Sequence, residues 1–190
     1  MPAAEARAAS RRERRSRLRD IIHERSLIRD GDFVLASGRK SPVFFDMKMT
    51  MLDPEGAALI AEAVLDLIED EAVELIGGLE LGAVPIVAAV CVISAGRRPI
   101  RGFIVRKAKK GHGTDRLIDG PIREGARVVV VEDVTTTGGS ALQAVEAARA
   151  KGCRVDKAIT IVDRLEGAAE NLAKHGVALE SLFTMRDFID

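Results

Sequence analysis

Two adjacent acids, Glu132 and Asp133, follow a run of four valines, Val128 to Val131, and precede a hydroxyl and glycine run, Thr135-Thr136-Thr137-Gly138-Gly139-Ser140. Neighbouring carboxylates accept hydrogen bonds from vicinal hydroxyls, as a sugar presents them. Glycines let a backbone approach an anion closely. The free N–H groups and positive dipole end of a following helix suit a phosphate, and threonine hydroxyls add donors. The order of parts separates this stretch from other phosphate loops. A Walker loop carries Lys after its glycines, and a dinucleotide fingerprint places its acid about 20 residues after them. Here the acids come immediately before the loop, which fits a sugar whose phosphate lies one loop further on. The plainer alternative is a strand–turn–helix unit with a threonine-rich cap.

Three further groups of residues carry chemical potential. Residues 106–125 lack periodicity and concentrate five cations, Arg106, Lys107, Lys109, Lys110 and Arg116, near His112. So long a stretch without structure is uncommon inside a compact domain and is usually an active-site lid or disordered. Its charge complements an anion such as pyrophosphate, and Gly111 and Gly113 would let it fold down; the alternative is a solvated basic loop. Phe44 and Phe45 point to opposite faces if extended, so one enters the core while the other covers a flat ring. Arg164 ends an apolar run beside Asp163, where its planar fork suits a carboxylate or an ion pair with Asp163 or Glu166.

These residues need a sheet to hold them. The valine run predicts a strand buried on both faces, ending at the acids, and the following stretch to Gly152 predicts a helix. Earlier, residues 16–30 read as an amphipathic helix, with His23 on its surface. Residues 33–35 and 43–47 read as two strands of a hairpin-like unit joined by a turn over residues 37–42. Met47, Met49 and Met51 are expected in the core. Asp53-Pro54 opens a helix over residues 55–72. Strands follow at residues 73–79, 98–105 and 155–164, with helices within 80–96 and 165–176, then a last strand and a short helical tail. Strand–helix alternation from Val73 onward predicts a mainly parallel sheet covered on both faces. Ligands then bind at the carboxyl ends of its strands, where the acids and the loop fall.

With 190 residues, the chain is expected to form one domain over 1–190: an N-terminal tail, helix and cap in 1–50, an α/β core in 54–184, and a flexible loop at 106–125. Formal net charge is zero, which argues against a general nucleic-acid or membrane surface. Seven arginines lie between Arg7 and Arg19, but interspersed acids and the lack of aromatics favour a solvated helix or frayed tail. No signal-like apolar segment or membrane-length run is read. Cys91 and Cys153 form neither a disulfide framework nor a metal-ligand spacing, so a cytoplasmic setting is expected.

RVVVVEDVTTTGGS resembles the phosphoribosyl pyrophosphate motif of the type I phosphoribosyltransferases. LASGRKSPVFFD, VRKAKKGHG and IVDR resemble segments particular to the orotate branch of that family. The resemblance implies the type I phosphoribosyltransferase fold, a Rossmann-like sheet with a small N-terminal hood. It implies Mg²⁺-dependent transfer of phosphoribosyl from phosphoribosyl pyrophosphate to orotate. By the same resemblance Glu132 and Asp133 hold the ribose hydroxyls, and Thr135 to Ser140 hold the 5′-phosphate. Thr136 reaches both base and phosphate regions. Phe44 and Phe45 lie at the base site, Arg164 pairs with the orotate carboxylate, and GGLELGAVP lines the pyrophosphate. Arg106, Lys107, Lys110 and His112 take the cationic positions of the catalytic loop. Magnesium is expected to be held mainly by substrate and water, without direct protein ligands. A homodimer that shares this loop between subunits is implied too. The resemblance breaks at Ala36, where many members carry Lys; Arg39, Lys40 and Lys48 are the neighbouring cations. Two rivals stand beside this reading: transfer to another base, and a non-catalytic regulator that senses phosphoribosyl pyrophosphate.

Overall fold

The computed structural model describes residues 2–35, 38–108 and 117–189. The chain opens with helix α1 (Pro2–Arg25), followed by four two-residue strands: β1 (Leu27–Ile28), β2 (Phe33–Val34), β3 (Lys40–Ser41) and β4 (Phe44–Phe45). Helices α2 (Lys48–Met51) and α3 (Pro54–Leu67) lead into β5 (Leu75–Leu79), α4 (Ala83–Ser94), β6 (Arg101–Val105) and β7 (Ile118–Asp119). The second half comprises β8 (Arg127–Thr135), α5 (Gly139–Arg149), β9 (Arg154–Asp163), α6 (Ala168–Ala173) and β10 (Ala178–Thr184), closed by a 3-10 turn at Met185–Asp187. No helix among the described residues is long and apolar enough to cross a membrane.

The central sheet has the order β10-β9-β8-β5-β6-β7, parallel throughout except for β7. Its core explains the valine run. Val129 and Val131 of β8 join Ile60, Val64, Ile86 and Val90 from α3 and α4 on one face. Val128 and Val130 join Ala144, Val145 and Ala148 from α5 on the other. A strand covered by helices on both sides must be apolar at successive positions, because neighbouring side chains point to opposite faces. Helix α3 starts as expected: Pro54 follows Asp53, whose Oδ1 accepts the Glu55 and Gly56 N–H groups at 3.0 Å.

Several sequence expectations change. The first helix begins at Pro2 rather than near residue 16 and stops at Arg25. Ion pairs stabilise its early turns: Arg7 with Glu69, Arg14 with Asp66 and Arg17 with Glu55. The expected hairpin is also re-paired. β2 pairs with β3, whereas β4 pairs with β1, so Phe44 and Phe45 oppose Ile28 and Leu27. Met49 is exposed at 57% while Met47 and Met51 are buried, because these residues lie at and within a short helix instead of alternating along a strand. The long loop after β6 is not wholly structureless: Ile118–Asp119 returns antiparallel to β6. Finally, β8 continues through both acids to Thr135 instead of ending before them. Pairing with β9 carries it further, with Glu132 opposite Thr160 and Thr135 opposite Asp163.

Two glycines on β5 mark close packing. A Cβ on Gly77 would lie 2.3 Å from the Phe103 ring, and one on Gly78 would lie 2.2 Å from the Val131 carbonyl oxygen. Backbone cannot swing aside as a flexible side chain can. Gly78→Ala is therefore expected to destabilise the protein by about 1–3 kcal/mol. Gly96→Ala, where nothing lies within 4 Å, should change stability by less than about 0.5 kcal/mol. Urea midpoints of the two variants measure the contrast.

Candidate active site

In chain order β5 leads outward to β6, and the chain then crosses back to place β8 on the other side of β5. The connections leaving β5 and β8 diverge there and open a crevice at their carboxyl ends. Glu132 and Asp133 sit at that point and line two cavities. The larger, of about 550 Å³, lies towards Glu80–Pro85 and also receives Met51, Leu52 and Lys107. The smaller, of about 270 Å³, is bounded by Thr135 to Ser140, Phe44, Phe45 and Arg164.

Each wall has a local cause. Gly138 has φ +78°, a left-handed conformation that a side chain would strain, and it turns the chain from β8 into α5. The Asn171 side chain donates to the Thr137 carbonyl at 2.9 Å, tying this turn to α6. On the other side, a Cβ on Gly82 would lie 2.3 Å from Asp133 Oδ1, so the β5–α4 connection can approach the acid only without a side chain. The Glu80–Leu81 peptide beside it is cis. Glu80 Oε1 accepts the Lys107 backbone N–H at 3.0 Å, which ties the start of the basic loop to the same connection.

Burial governs the charge of the acid pair. Desolvation, then repulsion from Asp133, pushes Glu132 up to about 7, against smaller opposing effects of Thr135 and Ser140. Desolvation also raises Asp133, while the Val134 N–H, its own N–H and Lys48 pull it down. Glu132 Oε2 and Thr135 Oγ1 are buried without a hydrogen-bond partner. Unsatisfied polar atoms at the wall of a cavity fit a ligand that carries hydroxyls or oxyanions.

Arg164 is 7% exposed and engaged on three sides. Its Nε donates to Glu166 Oε1 at 2.9 Å, Nη1 to the Val43 carbonyl at 3.2 Å and Nη2 to Ser41 Oγ at 2.9 Å. It therefore clamps the β3–β4 segment over the crevice while still lining the smaller cavity. Both phenylalanines line that cavity too. Phe45 is buried against Phe188, with ring centroids 5.3 Å apart, and half-buried Phe44 stacks on Phe33 at 5.4 Å.

The fold thus gathers Glu132, Asp133, Thr135, Thr136, Thr137, Gly138, Gly139, Ser140, Phe44, Phe45 and Arg164 around one cavity, with Lys107 in its neighbour. Arg106 lines neither cavity and pairs instead with Asp119 on β7. Lys110 and His112 lie outside the described residues. The sequence did not single out Gly82, Ser41 or Asn171 as part of the site, and marked Lys48 only as one of three cations beside the break in the resemblance at Ala36. Gly82 and Ser41 lay within stretches that resemble the family's pyrophosphate loop and hood, but nothing local marked Asn171.

Residues 50–183 match the model of the phosphoribosyl transferase domain. An orotate phosphoribosyltransferase of Rhodopseudomonas palustris (strain BisB5) is 49% identical over 181 residues, covering 93% of this chain and 96% of the relative. Among solved structures, orotate phosphoribosyltransferase of Mycobacterium tuberculosis H37Rv in complex with Fe(III) dicitrate has a TM-score of 0.82 at 38% identity, over 93% of this chain and 99% of that one. The same enzyme in complex with 5-phospho-alpha-D-ribosyl 1-diphosphate has a TM-score of 0.76 at 34% identity, over 93% and 92%. The family match spans β5, β8 and β9 together with the loops that leave them, and the relative covers nearly the whole chain, so the chain belongs to the phosphoribosyltransferase family, among the orotate phosphoribosyltransferases.

Proposed function

We propose that this protein transfers the phosphoribosyl group from phosphoribosyl pyrophosphate to orotate, giving orotidine 5′-monophosphate and pyrophosphate for pyrimidine synthesis. The observation that carries this reading is the grouping of an acid pair, a hydroxyl-rich helix start, an aromatic ring and a buried arginine around one crevice. Glu132 and Asp133 accept the ribose 2′ and 3′ hydroxyls, which supply the partner that Glu132 Oε2 lacks. The start of α5 and Thr135 to Ser140 hold the 5′-phosphate. Phe44 covers the pyrimidine ring, and Arg164 receives its carboxylate. The ring nitrogen attacks C1′ as the C1′–oxygen bond breaks, the electron pair leaves with the pyrophosphate, and the proton of that nitrogen is released to the departing pyrophosphate. No protein nucleophile is needed, so rate enhancement comes from positioning and charge stabilisation.

Magnesium suits this donor set. Glu132 and Asp133 offer hard carboxylate oxygens beside the space for substrate, and a hydrated Mg²⁺ binds readily through substrate oxygens. Its chemistry here is neutralisation of the diphosphate charge. Lys107 extends towards the larger cavity, and Lys110 and His112 of the basic loop complete the charge over the leaving group. A second subunit supplies that loop, and a cytoplasmic setting suits the two free cysteines.

The direct test is loss of orotate absorbance with Mg²⁺ and phosphoribosyl pyrophosphate, with uracil, hypoxanthine and adenine as controls. Consumption of a control base but not orotate refutes the assignment. In the same assay Arg164→Ala should raise the KM for orotate selectively, because the carboxylate loses a charged hydrogen-bonding fork of about 1.5–3 kcal/mol. Equal weakening of phosphoribosyl pyrophosphate binding, measured separately, would assign Arg164 to the clamp alone.

The acid pair has a second consequence. The folded value of Glu132, about 7, lies above the ordinary 4.5, so folding favours its neutral form. The resulting stability is fully present below pH 4.5 and is lost as pH rises through 7. Glu132→Gln removes this titration. It should stabilise the ligand-free protein by roughly 2 kcal/mol at pH 8, with little change at pH 5, while weakening turnover. Paired thermal melts at the two pH values check the sign.

The shared loop is tested by complementation. Lys110→Ala and Asp133→Asn should each inactivate the protein. A mixed dimer then holds one site with both defects and one with neither, so mixing under subunit exchange should restore about half of wild-type activity per mixed dimer. No recovery despite proven exchange would assign each loop to its own subunit.

A further inference from the structure

Arg39, Lys40 and Lys48, the cations that follow Ala36 in the chain, occupy different positions. Arg39 reaches Glu166 at 3.5 Å, away from the acid pair, and Lys40 pairs with Asp32 at 3.1 Å on an exposed surface. Lys48 instead enters the crevice. Among the described residues it is the one cation that lines both cavities, alongside Glu132 and Asp133. Its Nζ lies 2.5 Å from Asp46 Oδ1 as an ion pair. That buried oxygen nevertheless has no aligned hydrogen bond. The Lys48 side chain remains 62% exposed, so its four-carbon stem can carry the ammonium away from Asp46.

We propose that Lys48 is a further catalytic residue, which leaves Asp46 to bind the diphosphate oxygens nearest C1′ as they depart. This inference rests on the function proposed above. The sugar spans the acid pair at the junction of the cavities, so the breaking bond lies there, and Lys48 is the described cation at that junction. The Arg164 side of the smaller cavity takes the base, and the α5 loop takes the 5′-phosphate. The charge left for Lys48 is that of the leaving group. Asp46 holds it by an ion pair in the empty site and releases it to a stronger anion.

Lys48→Ala and Lys48→Arg provide the test, with Lys40→Ala as the surface control. Lys48→Ala should lower kcat by about 10²-fold, with a smaller rise in KM for phosphoribosyl pyrophosphate and a KM for orotate within about twofold. Lys48→Arg should recover at least about a tenth of the activity, and Lys40→Ala should match wild type. Calorimetric titration with magnesium pyrophosphate reads the same contact without turnover, and Lys48→Ala should weaken binding about tenfold. Unchanged pyrophosphate affinity together with kcat within about threefold of wild type, in a folded Lys48→Ala protein, overturns the assignment. Weakened pyrophosphate binding in a protein that does not consume orotate would retain Lys48 as an anion ligand and refute the functional reading instead.

Discussion

Desolvation of two adjacent, half-buried carboxylates near the carboxyl end of a central parallel strand is the constraint on which the site depends. The low-dielectric surroundings that make Glu132 hard to ionise also strengthen its interaction with a ligand hydroxyl or cation. Placing the pair there requires β8 to continue past its valines, and pairing with β9 carries it to Thr135. It also requires the β5–α4 connection to come close without a side chain, at Gly82. The sheet order then opens a crevice at this edge, because the connections after β5 and β8 leave in opposite directions. The acid pair is thus placed at some expense of stability in the empty protein.

The second organising contact joins the N-terminal ribbons to the end of the chain. Arg164, at the carboxyl end of β9, clamps Val43 and Ser41. Phe188, beyond β10, packs edge-on against both Phe45 and Phe183. Its carbonyl accepts a hydrogen bond from Arg29 at 2.7 Å. These two-residue strands have too few ladder bonds to hold themselves in place. Their position over the crevice is therefore set by Arg164 and the C-terminal aromatic cluster. One guanidinium therefore both lines the smaller cavity and seats the ribbon.

The arginine-rich start has an intramolecular role within the described residues. Arg11 reaches Asp66 at 3.2 Å, and Arg25 pairs with Asp53, extending the contacts of Arg7, Arg14 and Arg17 along α3. These side chains are mostly solvent-accessible, so each pair contributes little alone and is weakened by salt. Deeper docking of α1 comes from Leu18, Ile21 and Ile22, which are fully buried. Charge orients the early turns of the helix, and apolar burial near its end anchors it.

The sequence by itself determined the alternating core, the position of the acid pair before its hydroxyl and glycine loop, and most of the residues around the smaller cavity. These features are local: valine runs, Asp-Pro helix starts and glycine turns carry their conformational preference within a few residues. The pairing of β4 with β1, the extension of β8 through Glu132 and Asp133, and the reach of α1 back to Pro2 were decided by tertiary structure. Two-residue strands encode no register, a strand is lengthened by its neighbour, and a polar helix is stabilised by acids that are distant in sequence. The site contacts of Lys48 and Ser41 are likewise not encoded by their neighbours in the chain. Packing the ribbon against the carboxyl end of β9 sets Ser41 against Arg164, and Lys48 reaches the acid pair because α2 lies beside the end of β8.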